Sequence, residues 1–305
     1  MKKFLVRLLV FSILISSIIL FLLHRYGGYV DYFYNKCASP RQSAIIIGDS
    51  RSFQGLQPSV FNDNLSKDFD LPMYNFSFTL AQVSYGESLL NGIKAKINAK
   101  TKNGLFVLSV HPYILSQRDK DDFEKGIYFE ESFPPGNMKY LAMNPNIEYF
   151  FKNYDYFHFK AVIRKNSIVH NDGWLEEYNL PKDTATLSEW KKNQIKLYGG
   201  FKSKWKKSNY RIEQLSQTIK FLKNHGTVVL VRMPSSDKIV AIEKEYWQDF
   251  NSDITKVASE NKVQYMDFTK NSSEYKTYDG VHLDKVGGQK FTKAVCDSIL
   301  KFKKN

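Results

Sequence analysis

Cysteine is nearly absent from this chain, with only Cys37 and Cys296 among 305 residues. Their spacing excludes a cysteine-based zinc site. Two readings of the pair stay open: a disulfide, which an exported body would permit, or two unpaired thiols with Cys296 as a small packing residue. Also missing is any basic block or nucleic-acid-binding motif, although Lys and Arg outnumber Asp and Glu by 44 to 31, a formal net charge of +13. The lysines are spread thinly apart from one cluster at Lys202, Lys204, Lys206 and Lys207. The charge therefore reads as a solvated basic surface, suited to anionic headgroups or acidic glycans, with no nucleic acid as partner. Internal repeats and low-complexity segments are lacking. So is the glycine-rich Lys-Ser/Thr pattern of a nucleotide cradle, which counts against a phosphate-binding loop at Ser50.

The one long apolar run lies at the N-terminus. Lys2, Lys3 and Arg7 precede the stretch from Leu8 to Leu23, interrupted only by Ser12, Ser16 and Ser17. Counted from Phe4 the segment reaches about 20 residues, enough for roughly 30 Å of hydrocarbon. It ends in Phe21-Leu22-Leu23-His24-Arg25 with no small-x-small cleavage site. Residues 1–25 read as an uncleaved signal anchor at the cell membrane, single-pass, with the N-terminus cytoplasmic and the body outside. The tyrosine-rich stretch Tyr26 to Tyr34 suits the lipid interface, so residues 26–43 read as a juxtamembrane linker.

An apolar content of 43% suits a folded body over residues 44–305. Short apolar runs alternate with helical patterns. Strands are expected at Ala44–Ile47, Pro72–Phe76, Leu105–Val110, Thr227–Val231 and Val263–Met266. Helices are expected near Ser84–Lys100, Tyr210–Asn224 and Lys238–Asn261, and after Asp284, a suitable N-cap. This is the pattern of an α/β class, three-layer α/β/α flavodoxin-like sandwich with a parallel sheet of about five strands. Ligands of such sheets sit beyond the carboxyl ends of the strands. Tyr113 to Lys207 is too long for a plain loop. It reads as a mostly helical insertion crowded with aromatics, among them Tyr149, Phe150, Phe151, Tyr154, Tyr156, Phe157, Phe159, Trp174, Trp190 and Trp205. Most of these rings are expected to be the insertion's own core, although Tyr and Trp faces also stack on sugars.

Two motifs carry chemistry. Gly48-Asp49-Ser50-Arg51-Ser52 follows the first strand, where a serine at a helix N-terminus meets unpaired N–H groups and a favourable dipole. Asp279-Gly280-Val281-His282 precedes the last helix, so that Asp279 can reach back to the second nitrogen of His282. Each alone reads as ordinary, an N-cap serine and an Asp-Gly turn. At one sheet edge they supply a nucleophile (Ser50), a general base (His282) and its orienting carboxylate (Asp279). This chemistry requires no metal or organic cofactor.

With these residues in view, the chain resembles the SGNH-hydrolase (GDSL-like) superfamily. Gly48-Asp49-Ser50 resembles the family's first block and Asp279-x-x-His282 its fifth, and the likeness covers Ala44 to the C-terminus apart from the insertion. The resemblance implies an α/β/α fold and the cleavage or transfer of ester-linked acyl groups. The second block's glycine is missing where Asn75-Phe76-Ser77-Phe78 stands, and His111-Pro112-Tyr113 replaces the third block's Gly-x-Asn-Asp. The oxyanion hole is accordingly expected to use the Ser50 amide and, as a substitute donor, Asn75. Arg51 and Arg232 are candidate substrate-binding residues, each with an ion pair as its competing role, Asp237 being a candidate partner for Arg232. The anchor and Arg51 make the chain look like envelope acyltransferase-type members. That implies O-acetyl groups on cell-surface carbohydrate as substrate and a multi-span membrane acyltransferase as partner. The rival reading is a non-catalytic glycan-binding or assembly module that keeps the cleft.

Overall fold

In the computed structural model residues 1–153 and 166–304 are described. Tyr154, Tyr156, Phe157 and Phe159 of the insertion lie outside the described residues. Five strands, β1 (Ala44–Ile47), β2 (Met73–Asn75), β3 (Gly104–Ser109), β4 (Gly226–Arg232) and β5 (Gln264–Asp267), form one sheet in the order β2-β1-β3-β4-β5. Every neighbouring pair is parallel. All five expected strands are present, and the flavodoxin-like order follows.

The apolar runs show no alternation because both faces of the sheet are covered. Ile45, Ile47, Phe106, Leu108, Val228 and Leu230 point into one core. Their neighbours Ala44, Ile46, Leu105, Val107, Val229 and Val231 point into the other. This split decides the cysteine question. Cys37 is buried in the first core and Cys296 in the second, and both are free thiols.

The α-helices among the described residues are α1 (Lys2–Val30), α2 (Tyr34–Ala38), α3 (Ser50–Gly55), α4 (Pro58–Leu65), α5 (Glu87–Lys96), α6 (Ile147–Asn153), α7 (Thr184–Lys204), α8 (Asn209–Lys223), α9 (Asp237–Tyr246), α10 (Phe250–Asn261) and α11 (Lys285–Lys304). Leu215, Ile219 and Leu222 of α8 and Ile254 and Val257 of α10 cover the first face. Phe61 and Leu65 of α4 and Phe291, Val295 and Ile299 of α11 cover the second. Asp284 caps α11, accepting from the Gly287 N–H at 2.7 Å.

Three expectations need correction. The single helix expected over Lys238–Asn261 is two, α9 and α10, broken at Trp247. Unbroken, its 24 residues would run about 36 Å, far longer than the roughly 23 Å of the seven-residue β4 beneath it. The buried Trp247 turns the chain, and its indole N–H donates to Asp253 Oδ2 at 2.7 Å.

The described part of the insertion is less helical than expected. Besides α6 and α7 its described residues form 3₁₀ turns, loops and two short antiparallel pairs. Pro134, Pro135, Pro145 and Pro181 interrupt helical runs. The aromatics that reach the core do so mostly from these two helices, Tyr149 from α6 and Tyr198 and Phe201 from α7, with Tyr113 from a 3₁₀ turn. Arg211 of α8 fastens this region to the body, donating to Glu130 Oε2 at 2.8 Å and Asp121 Oδ2 at 3.1 Å in a fully buried cluster.

The juxtamembrane residues do not form a free linker. Phe33, Tyr34, Lys36, Cys37 and Ala38 are buried. Asp31 accepts from the Phe33 N–H at 2.8 Å and from the Tyr149 hydroxyl at 2.6 Å. Lys36 Nζ donates to the Asn75 and Gly173 carbonyls at 2.6 and 2.8 Å and lies 4.0 Å from the Phe53 ring centre. By contrast Lys2–Leu22 is a 21-residue apolar span, none of it buried, long enough to be a membrane anchor or a signal sequence.

The body therefore begins at Asp31. A chain starting there is expected to be soluble and to unfold cooperatively. A chain starting at Ser39 loses the burial of Phe33 and Tyr34, a cost of about 3–6 kcal/mol, and is expected to aggregate or to melt well below it. Urea unfolding of the two truncations checks this.

Candidate active site

Gly48 ends β1 and Ser50 opens α3, so the serine stands at the carboxyl edge of the sheet. The glycine is needed there: a Cβ at Gly48 would lie 2.6 Å from Ser109 Cβ. Asp49 is the N-cap of α3, with Oδ1 accepting the Arg51 N–H at 3.1 Å. Its Oδ2 meets His111 Nε2 at 2.8 Å, and both side chains are buried. Burial raises the Asp49 pKa, but His111 and Arg51 outweigh it and bring it down to about 2. Burial and the nearby Arg51 charge hold the His111 pKa below its ordinary value. The pair is thus a carboxylate accepting from a neutral imidazole, and His111 Nδ1 has no hydrogen-bond partner among the described residues.

The loop after β5 brings Asp279 and His282 to the same edge. Gly280 takes a left-handed conformation, φ +96°, which lets the chain turn back on Asp279. Asp279 Oδ1 accepts the Val281 and His282 N–H groups at 2.9 and 2.8 Å. Its Oδ2 lies 2.7 Å from His282 Nδ1, and His282 Nε2 lies 2.8 Å from Ser50 Oγ. With Nδ1–H directed to the carboxylate, Nε2 is left to accept from the serine. Burial depresses the His282 pKa, yet the Asp279 carboxylate outweighs it and leaves it above the ordinary imidazole value. Asp279 itself is held low, its two main-chain bonds and His282 outweighing burial.

The structure brings Ser50, Asp279 and His282 together and leaves the other three candidates apart. Asn75 is fully buried, and its amide donates to the Ser52 and Leu56 carbonyls at 2.8 and 3.0 Å. It ties down the end of α3 and is not an oxyanion donor. Arg51 turns inward and pairs with Glu243 Oε1 at 2.6 Å. Arg232 pairs with the other oxygen of Glu243 at 2.8 Å and with Asn251 at 2.7 Å, rather than with Asp237. Neither arginine faces the cleft. Burial pushes the Glu243 pKa up, but the two guanidiniums outweigh it and hold the carboxyl ionised.

Sequence reasoning missed Gln194, a polar position on α7, whose Nε2 donates to Asp279 Oδ2 at 3.3 Å. It missed Glu243 for the same reason: nothing in its helical context marks it as the partner of a residue 192 positions away. His111 was noted only as a departure from the family block. The half-buried Tyr278 ring stacks beside His282, centres 6.0 Å apart, with Trp190 edge-on to it at 6.2 Å. A cavity of about 610 Å³ opens on Ser50 and His282, bounded by the Thr79–Ala81 turn, the insertion and α7.

Three outcomes follow from these contacts. Glu243→Ala strands two buried guanidiniums and is expected to cost about 3–5 kcal/mol in urea unfolding. If His282 is the base, activity requires its neutral form and falls as pH drops through its raised pKa. The acid limb of kcat/KM is then expected above about 6.5. Asp279→Asn is expected to shift that limb to lower pH and to cut the plateau by about 10³–10⁴-fold.

No family model matches the chain, and no curated protein matches it. Among solved structures it is similar to a lipase/acylhydrolase from Enterococcus faecalis, with 12% identity over 84% of this chain and 94% of that one and a TM-score of 0.41. It is also similar to Est24, a carbohydrate acetylesterase from Sinorhizobium meliloti, with 8% identity, coverages of 86% and 100% and a TM-score of 0.40. A third is an inhibitor-bound aryl esterase from M. Smegmatis, with 9% identity, coverages of 86% and 99% and a TM-score of 0.38. Likeness at these scores decides nothing by itself. The α/β/α assignment rests on the strand order and the doubly covered sheet of this chain.

Proposed function

We propose that this chain is a serine enzyme that cleaves or transfers ester-linked acyl groups through an acyl-enzyme, held outside the cytoplasm by α1. The observation that carries the reading is the unbroken hydrogen-bonded series Ser50 Oγ, His282 Nε2, His282 Nδ1, Asp279 Oδ2, with spacings of 2.8 and 2.7 Å. In the first half-reaction Ser50 Oγ attacks the ester carbonyl carbon while His282 Nε2 takes its proton. The oxyanion that forms faces the Ser50 N–H, which sits in the first turn of α3 and has no intrahelical acceptor. Collapse breaks the bond to the leaving alcohol, and His282 returns the proton to that oxygen. In the second half a water or an acceptor hydroxyl attacks the acyl-serine with His282 again as base. An acid or a new ester is released and Ser50 is restored.

Two features favour a carbohydrate as the alcohol side. Tyr278 beside His282 and Trp190 beside Tyr278 are half-buried rings, a surface on which a sugar can stack. The formal charge of +13 suits an acidic glycan. The basic residues before Leu8 favour a cytoplasmic N-terminus, and a body on the other side of the membrane would meet surface polysaccharide.

Ser50→Ala and His282→Ala are each expected to lower p-nitrophenyl ester hydrolysis by about 10³-fold or more, with the folded fraction unchanged by circular dichroism. Equal rates in wild type and both variants would sink the enzyme reading in favour of a binding module. Trp190→Ala is expected to raise KM for an acetylated oligosaccharide several-fold while changing KM for p-nitrophenyl acetate less than twofold.

A further inference from the structure

The cavity beside Ser50 is far larger than an acetyl group requires. Its volume of about 610 Å³ lies in the range that takes a drug-sized ligand. Its walls are made by Leu80, Phe129, Phe133, Leu197, Phe201 and Trp205, from the turn after β2, the insertion and α7. Phe201 and Trp205 are stacked face to face with ring centres 4.0 Å apart. Leu197 and Phe133 are exposed hydrophobics, 48% and 37% accessible. Arg118 closes one side as a flat slab wedged against the Phe129 and Trp205 rings, 3.5 and 4.5 Å from their centres. Its Nη2 donates to the Val83 carbonyl at 2.8 Å, while its Nε has no hydrogen-bond partner among the described residues. Among the neutral polar groups of the lining, Gln194 is engaged with Asp279, the Thr79 hydroxyl with Gln82 Oε1 at 2.9 Å, and the buried Tyr198 ring lies 5.3 Å from the Arg51 guanidinium carbon. Asp119 and Lys120 are exposed at its rim.

A sugar placed here would leave its hydroxyls against aromatic and aliphatic walls without partners, which is unfavourable. A hydrocarbon chain meets no such penalty along the aromatic and aliphatic walls, where the one unpartnered polar group among the described residues is the Nε of Arg118, itself covered by the Phe129 and Trp205 rings. The cavity is continuous with the candidate nucleophile, so a chain lying in it projects its carbonyl toward Ser50 Oγ.

We infer that this cavity is an acyl-chain pocket and that the transferred or released group is a medium acyl chain of about six to ten carbons, rather than acetyl. The inference rests on the serine-enzyme reading above and proposes a longer chain in place of the O-acetyl group that the family resemblance implies. Tyr278 and Trp190 stay on the alcohol side of Ser50, and the walls formed by Leu197, Phe201 and Trp205 select the acyl side. Each additional methylene buried is worth about fourfold in binding, so selectivity accumulates with chain length until the cavity is filled.

The test uses the full chain in lipid nanodiscs with p-nitrophenyl acetate, butyrate, hexanoate and octanoate. The Ser50-dependent kcat/KM is expected to rise at least tenfold from acetate to octanoate. Leu197→Trp, which fills the cavity from a half-exposed position, and Leu197→Asp, which charges its wall, are both expected to collapse the octanoate-to-acetate ratio. A rate highest for acetate, or a ratio unmoved by both substitutions, would overturn the pocket. If no ester is turned over in a Ser50-dependent way, the enzyme reading fails, and the pocket is read by ligand binding alone. Millimolar octanoate, but not acetate, is then expected to raise the melting temperature of Ser50→Ala protein, and not that of Ser50→Ala/Leu197→Asp. Absence of that shift overturns the inference independently of catalysis.

Discussion

The buried carboxylate of Asp49 is the point on which the nucleophile end of the sheet depends. One oxygen fixes the first turn of α3 and the other is held by His111 at the end of β3. Two parallel strands are thereby joined through side chains at the edge where the sheet no longer joins them through its main chain. The direction in which Ser50 presents its hydroxyl follows from that join. A carboxylate in such a place must be ionised to accept from both donors, and the neighbouring guanidinium of Arg51 favours that state. Arg51 in turn requires Glu243, and Glu243 is shared with Arg232 at the end of β4. The ends of three strands are thus linked by one charged network behind the serine.

This network explains why a chain with an excess of cations does not put its best-placed arginines at the substrate. A guanidinium is buried at tolerable cost only with its charge matched. A single carboxylate, Glu243, matches both Arg51 and Arg232, and each also lies over an aromatic face, Tyr198 for Arg51 and Phe250 for Arg232. Arg51 Nε and Nη1 and Arg232 Nε keep no hydrogen-bond partner among the described residues. The cost of burying three charges is tolerated where rigidity of the nucleophile turn is the return.

The sheet and the residues of the Ser-His-Asp series were legible in the sequence because each is written locally. A strand covered on both faces must be a short unbroken apolar run, as in Ala44–Ile47, and Asp-Gly-x-His must fold back on itself if the glycine takes a left-handed turn. What was not legible depended on direction and distance. Arg51 follows Ser50 by one residue, but the first turn of α3 rotates its side chain away from the cleft. Asn75 sits where a donor was wanted, yet the short α3 leaves carbonyls that need its amide more. The aromatic insertion has no period, so its loops and the apolar walls it gives the cavity could not be separated from its core. Tyr32 to Tyr34 resemble an interfacial belt in composition, and only packing against Tyr149 and Phe53 shows that Phe33 and Tyr34 belong inside.

The burial of Asp31 to Ala38 also bears on how such a protein would search for substrate. If α1 spans a bilayer, the folded body begins where the helix ends, and the chain between apolar span and core has no slack to pay out. Residues 23 to 30 continue as helix, a rise of only about 12 Å. A body so mounted does not sweep a hemisphere, as one on a flexible stalk would. It works at one height above the membrane, and its partners are chosen by whether they come to that height.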